Sequence, residues 1–274
     1  MALKRHGCLI GQRTVFAGSS PLLYLAAAQY LRMGAKDIVV LDTTPLNEKL
    51  RAASGMARHS LSTLLRGLSL MAELRRAGVR MLTGVRLDRI VGDERVEAIQ
   101  FRSRRGPETI NCDSVALGHG LRPETQLAEL AGAKLEYDPV LRHWFPQADA
   151  EGRAGPLLWV AGDSARTAGA DGAAVAGKLA ALSILKCIGK APAGVDGQIS
   201  RLQRRLHGWR AFQRAMSGAF KPHGEGITDL PDDTVLCRCE RISLGDVRDV
   251  VARLAGPMEV NRLKAVTRCG MCRC

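Results

Sequence analysis

The sequence predicts an α/β protein: a parallel βαβ unit followed by antiparallel strands, then a helical linker and a small cysteine-rich module. Three observations carry this. Residues 14–42 run through a short apolar stretch, a glycine turn, an Ala/Leu-rich segment and a second apolar stretch. Glycine is abundant, at 29 of 274 residues, while aromatics make up only 4%, a balance that suits tight strand-to-helix turns. Finally, Cys237, Cys239, Cys269, Cys272 and Cys274, five of the eight cysteines, crowd into the last segment as Cys-x-Cys and Cys-x-x-Cys-x-Cys.

Length allows two domains or one domain with an appendage. No run of 18 apolar residues offers a transmembrane helix, and MALKRHGCLIGQRTVF lacks the apolar core of a secretory signal. A cytoplasmic protein with reduced cysteines is expected, any membrane association coming through partners. The net charge of +13 comes from arginines spread over every segment, with no aromatic-rich recognition element among them. Diffuse charge of this kind is a solvated face and argues against nucleic acid; it would suit an acidic redox partner.

Within the first unit, TVFAG ends in Gly18, LLYLAAAQYLRMG reads as a helix, and DIVVLD ends in Asp42. Strand, glycine turn, helix, strand and terminal acid open a Rossmann unit. Its fingerprint, G-x-G-x-x-G, keeps side chains away from a pyrophosphate. Here Ser20 replaces the second glycine and Leu23 the third, so Ser20 would intrude on the pyrophosphate and Leu23 would crowd the helix–strand contact. Gly18, Ser20 and Asp42 are therefore weak candidates for NAD(P) or another adenine nucleotide. For Asp42 a solvated strand end is an equal reading.

Residues 60–77 place Leu61, Leu64, Leu65, Leu68 and Met71 at helical spacing, with Ser60 as N-cap and Gly78 as stop, which predicts a core-facing helix. RMLTG, VEAIQFRS and ETINC read as strands, the last two joined by a turn at 105–107. A parallel unit followed by antiparallel strands is the plan of nucleotide domains in flavin disulfide-reductase-like proteins. SVALG is a further buried strand. His119 follows it as either a flavin contact or a plain turn residue, and His143 and Trp144 fall near the same face.

In LLWVAGDSARTAGADGAAVAGKLAALSI an apolar strand ends at Gly162–Asp163, and a small-residue loop enters an Ala/Gly-rich helix. A strand-end carboxylate can bind a ribityl or ribose hydroxyl. A helix start at Gly169, Ala170 and Ala173 offers free N–H groups to a phosphate or a flavin carbonyl. These five residues are the stronger cofactor candidates. The alternative is a Gly-Asp turn that caps the helix.

Residues 199–220 carry Ile199, Leu202, Leu206, Trp209, Phe212, Met216 and Phe220 at three- or four-residue steps, opposite Arg201, Arg204, Arg205, Arg210 and Arg214. This is an amphipathic helix, expected to bridge the flavin part and the tail; a membrane-interface helix fits the same pattern. KPHGEGITDLPDD is a linker. The tail's thiolates suit a soft metal, and spacing alone leaves a closed zinc site and an iron–sulfur cluster equally open. Cys8, Cys112 and Cys187 are isolated and read as small buried hydrophobes. No Cys-x-x-Cys lies beside the nucleotide motifs, so disulfide-reductase chemistry is not expected.

The stretches HGCLIGQRTVFAGSSPLLYLAAAQYL, CDSVALGHGLRPETQLAELAG, LLWVAGD with GADGAAVAG, and LCRCERISLGDVRDVV with LKAVTRCGM together resemble the FAD- and NAD(P)-binding flavoprotein (alpha) subunits of opine oxidase, hydrogen cyanide synthase and D-hydroxyproline dehydrogenase. The tail resembles the [2Fe-2S] domain of bacterioferritin-associated ferredoxin. The resemblance implies four segments: 1–112, an NAD(P)-type Rossmann domain with antiparallel strands; 113–190, the C-terminal part of an FAD-binding domain; 191–229, helix and linker; and 230–274, the [2Fe-2S] domain. Family members begin with an FAD-binding half carrying G-x-G-P-A-G, which has no counterpart here. The chain is thus expected to be a fragment or split subunit with a partial FAD site. Cys237 and Cys239 match one ligand pair. Cys272 stands at a family glycine and Cys274 at a family cysteine, leaving the second pair open among Cys269, Cys272 and Cys274.

The resemblance implies a redox subunit that relays electrons from a catalytic, amino-acid-oxidase-like FAD subunit to an acceptor. Two alternatives stand beside it: a truncated, non-enzymatic iron–sulfur or zinc module for assembly or sensing, and an NAD(P)H-dependent flavin reductase acting through Gly18 and Asp42.

Overall fold

The computed structural model describes residues 2–141, 143–220, 230–254, 256 and 260–271. The chain separates into two compact units, 1–222 and 223–274. The expected divisions at 112/113 and 190/191 both fall inside the first.

After a short helix α1 (Ala2–His6), the first unit is built on β1 (Arg13–Gly18), α2 (Pro21–Arg32), β2 (Asp37–Asp42), α3 (Leu46–Arg76), β3 (Arg80–Thr83) and β7 (Ser114–Gly118). The strands form one parallel sheet in the order β3-β2-β1-β7. The period-2 geometry of a strand sends alternate side chains to opposite faces, and both faces of this sheet are covered. Phe16, Ile38 and Val40 pack against Leu23, Tyr24 and Ala27 of α2 and Leu74 of α3. Val15, Ala17 and Leu41 pack against Ile99, Phe101 and Cys112. This second layer is an antiparallel sheet of β4 (Arg86–Val91), β5 (Ala98–Ser103) and β6 (Gly106–Asn111). β4 is an addition to the expected strands: its pattern of mostly exposed residues carries no apolar run.

Helix α3 begins earlier than expected and is broken at Ser60 (φ −159°, ψ 83°), so Ser60 marks a kink inside the helix rather than its start. Leu64 and Met71 are partly buried, but Leu61, Leu65 and Leu68 stay exposed at 56%, 54% and 51%. Their row is therefore not the core face; Met56 and Leu74 are the buried residues of this helix.

Beyond β7 come α4 (Gln126–Leu130), the hairpins β8 (Leu135–Asp138)–β9 (His143–Pro146) and β10 (Arg153–Gly155)–β11 (Leu158–Trp159), and helices α5 (Gly169–Cys187) and α6 (Val195–Ala219). The apolar stretch before Gly162 contributes only the two residues of β11, paired to β10. α6 packs within the first unit. Ile199 and Leu206 pack on Val175 and Leu179 of α5, and Phe212 packs on Met56 of α3. Its apolar face is thus used inside the protein. Of its arginines, Arg201, Arg204 and Arg205 are exposed. Arg210 is half-buried, and Arg214 pairs with Asp138.

The second unit holds β12 (Val235–Cys237), β13 (Ile242–Ser243), α7 (Leu244–Arg253) and α8 (Val260–Thr267). α7 starts with a capping box, Ser243 Oγ accepting from the Asp246 amide and the Asp246 carboxylate accepting from the Ser243 amide. No described helix of the chain is long and apolar enough to cross a membrane.

Candidate functional site

A cleft of about 240 Å³ opens at the carboxyl ends of β1 and β7, the position where open α/β sheets place their ligands. Ser19 and Ser20 enter it from the turn after β1, and His119 to Leu121 from the turn after β7. His143 and Phe145 of β9, Thr167 and Gly169 at the start of α5, and the last turns of α6 complete it.

The turn after β1 is shaped by close backbone contact. Gly18 has φ +136°, and a Cβ there would lie 2.1 Å from the Gly118 carbonyl oxygen, so only glycine fits. Ser20 is the N-cap of α2, its Oγ accepting from the Leu22 amide, and Pro21 takes the first helical position, both favoured there. Ser20 thus points back onto its helix rather than into a pyrophosphate position. Leu23 does not crowd the helix–strand contact either: it is buried, and Gly118 supplies the space, since a Cβ there would sit 3.2 Å from Leu23.

Asp42 departs from both of its expected readings. It is neither solvated nor open to a ribose: it is 0% exposed. Tyr24 donates to its Oδ2 at 2.7 Å, the Thr44 amide donates to Oδ1 at 2.8 Å, and Lys49 forms an ion pair with Oδ2. Burial, with Asp42 beside it, pushes the Tyr24 phenol well above its ordinary range. Burial pulls Lys49 down, against the opposing pull of Asp42.

At α5 the situation is reversed. The N-cap is Ala168, with no side-chain cap for the first amides. Gly169 and Ala170 are exposed, as is Asp171 in the first turn. Gly162 takes φ +67° against Ala173 (a Cβ there would be 3.5 Å away), and Asp163 is exposed beside it. Of the candidate residues, Ser20 and Gly169 meet in the one cleft; Gly18, Asp42, Gly162, Asp163, Ala170 and Ala173 do not line it.

Asp138 is a residue that the sequence reading passed over. One carboxylate oxygen accepts from the amides of Val140 and Leu141, both at 3.0 Å, and the other from Arg166 (2.9 Å) and Arg214 (3.0 Å). It ties together the β8–β9 turn, the loop into α5, and α6, three walls of the cleft. Burial alone would raise its carboxyl. The Leu141 and Val140 amides and the two guanidiniums outweigh that and hold it below the usual range. Burial, reinforced by Arg122, lowers the His143 imidazole against a hydrogen bond with the Leu121 backbone. His119 Nδ1 lies 3.4 Å from Ser19 Oγ. No sequence pattern flags Asp138, because its partners lie 28 and 76 residues away.

In the second unit Cys237 is buried, Cys239 exposed and Cys269 intermediate; Cys272 and Cys274 lie outside the described residues. The backbone of Gly270, Glu240 and Cys239, with the Cys269 side chain, pulls the Cys237 thiol below its ordinary range. Arg268, beside Cys269, pairs with Glu240, beside Cys239, at 3.2 Å. Arg241 (φ +54°) and Arg268 (φ +59°) both adopt left-handed backbone, uncommon for non-glycine residues. Among the described residues, no three His, Cys, Asp or Glu side chains close around a common point. Of the isolated cysteines, Cys112 is a buried hydrophobe as expected, while Cys8 and Cys187 are exposed.

The chain is similar along its length to an opine oxidase subunit from Rhizobium meliloti, at 35% identity over 283 residues, covering 100% of this chain and 52% of that protein. Hydrogen cyanide synthase subunit HcnB of Pseudomonas aeruginosa is 30% identical over 287 residues, covering 95% and 58%. The chain therefore spans about half the length of these relatives. The fold resembles L-proline dehydrogenase from P. horikoshii, with a TM-score of 0.59 and 18% identity over 98% of this chain and 43% of that one. No protein-family model matches.

Proposed function

We propose that the chain is a flavoprotein and iron–sulfur part of an oxidoreductase acting on an amine or opine-like amino acid, passing electrons from a catalytic partner subunit to an acceptor. The observation that carries this is the similarity to the opine oxidase subunit, which runs the whole length of this chain. The geometry supports it at two places. The uncapped start of α5, with Gly169 and the small residues Ala170 and Ala173, fits the carbonyl edge of a flavin ring. The chain's contribution is thus placed at the flavin end, at the start of α5. In the tail, a thiol surrounded by backbone donors and two neighbouring cysteine arms fits thiolate ligation. Cys237 and Cys239 would form one ligand pair, the second coming from Cys269, Cys272 and Cys274.

When bound, the flavin and cluster supply reversible electron storage and transfer. The chain's residues do the rest. Asp138 fixes the cleft walls, burial beside them disfavours the charged form of His143, and the Cys237 backbone donors stabilise negative charge on sulfur. A non-enzymatic cysteine module is the second reading, favoured by the tail's being a compact unit of its own.

The test is the absorption spectrum of anaerobically purified protein, with iron and zinc assays. Flavin bands plus those of a [2Fe-2S] centre are expected, the latter lost in Cys237→Ser. Colourless, zinc-loaded protein would sink the electron-relay reading.

A further inference from the structure

We infer that the turn after β1 is closed to nicotinamide dinucleotides, and that Lys49, seated on Asp42, is the side chain that closes it. A Rossmann turn receives a dinucleotide through backbone amides free to meet the pyrophosphate and a strand-end acid free to meet a ribose diol. Here the acid is spent, and so are the amides of Ser19, Leu22 and Leu23. The Ser19 amide donates to the Gly118 carbonyl at 2.9 Å, Pro21 has no amide hydrogen, and the amides of Leu22 and Leu23 donate to Ser20, each at 3.2 Å. Asp42 has its carboxylate divided between Tyr24, Lys49 and the Thr44 amide.

Displacing those partners is uphill. With Asp42 given to a ribose, the Lys49 ammonium, whose side chain is 11% exposed, would be left buried without its counter-charge. Lys49 is held from the other side as well, lying 4.9 Å from the Tyr24 ring centroid and 5.0 Å from that of Phe220. Phe220 lines the cleft, so the closed acid also anchors the last turn of α6 there. Reduced nicotinamide is accordingly not a hydride source through this turn, and the reductase reading built on Gly18 and Asp42 falls. The inference does not rest on the electron-relay reading, which uses no nicotinamide.

ADP-ribose, which carries the pyrophosphate and ribose but no hydride, is the probe, titrated calorimetrically into the full chain with NADH and NADPH alongside. The wild type is expected to show no saturable binding into the millimolar range; saturable binding overturns the inference. Tyr24→Phe combined with Lys49→Ala takes away the two side-chain partners of Asp42 and is expected to gain measurable ADP-ribose binding. A folded double variant that gains none removes Lys49 from this role. If that variant does not fold, Ser20→Gly decides in its place, since it restores a glycine but leaves the ion pair. No gain there supports the closure by Lys49, and a gain overturns it.

Discussion

Two strand-to-helix turns, the one entering α2 and the one entering α5, reach the same cleft and end in opposite states. Each follows an apolar stretch and carries a glycine with positive φ, Gly18 at +136° and Gly162 at +67°. At α2 the helix start is capped by Ser20, and the neighbouring acid, Asp42, is buried under Lys49 and Tyr24. At α5 the N-cap is an alanine and the neighbouring acid, Asp163, is exposed. A glycine with a strand-end acid is thus not in itself a cofactor site. What decides is whether other side chains of the chain have already taken the polar groups that a ligand would need.

That contrast can be broken at its closed end first. Lys49→Met leaves Asp42 buried and uncompensated and is expected to cost about 3–5 kcal/mol in denaturant unfolding. Adding Asp42→Asn should return much of the loss; no recovery would mean that Lys49 acts through packing alone. The two glycines give a second comparison. Gly18→Ala combines backbone strain with a Cβ driven into the Gly118 carbonyl and should cost about 3 kcal/mol or more. Gly162→Ala meets only ordinary contact at Ala173 and should cost about 1 kcal/mol. Equal thermal shifts for the pair would refute the close-approach argument.

Asp138 tests whether the open side is held by its walls. Asp138→Asn weakens charge-assisted bonds to Arg166 and Arg214 and is expected to cost about 2 kcal/mol. Because its folded pKa lies below the unfolded one, the unfolded chain binds the proton first as pH falls. Its contribution is complete above the unfolded pKa of about 3.9 and is lost as pH drops through the folded value. Acid titrations of wild type and variant should therefore converge at low pH and part above it. The smallest effect is at Ser20→Ala, a lost cap worth about 1 kcal/mol, read from the thermal midpoint.

The βαβ unit was legible because its strands and helix bury complementary stripes. Phe16 on one face of β1 and Val15 and Ala17 on the other need nothing beyond period-2 alternation. The leucine row of α3 misled for a related reason. Leu61, Leu65 and Leu68 have core-like spacing, but the break at Ser60 and the packing of α6 and α2 set which face is buried. β4 and Asp138 were silent because neither has a local pattern: one is a charged strand recruited by β5, the other a single acid whose partners converge from three elements.

By itself, then, the sequence determined the order of strand, turn and helix, the amphipathic character of α6 and the gathering of cysteines in the tail. These follow from local sterics and periodicity, which act over a few residues. Tertiary structure decided the fate of the polar groups. Asp42 is closed because Lys49 and Tyr24 fold onto it, the start of α5 is left uncapped at the rim of a cleft, and Cys237 is surrounded by the backbone of both arms of the tail. Burial and charge pairing act between residues far apart in the chain, so only the folded protein could assign them.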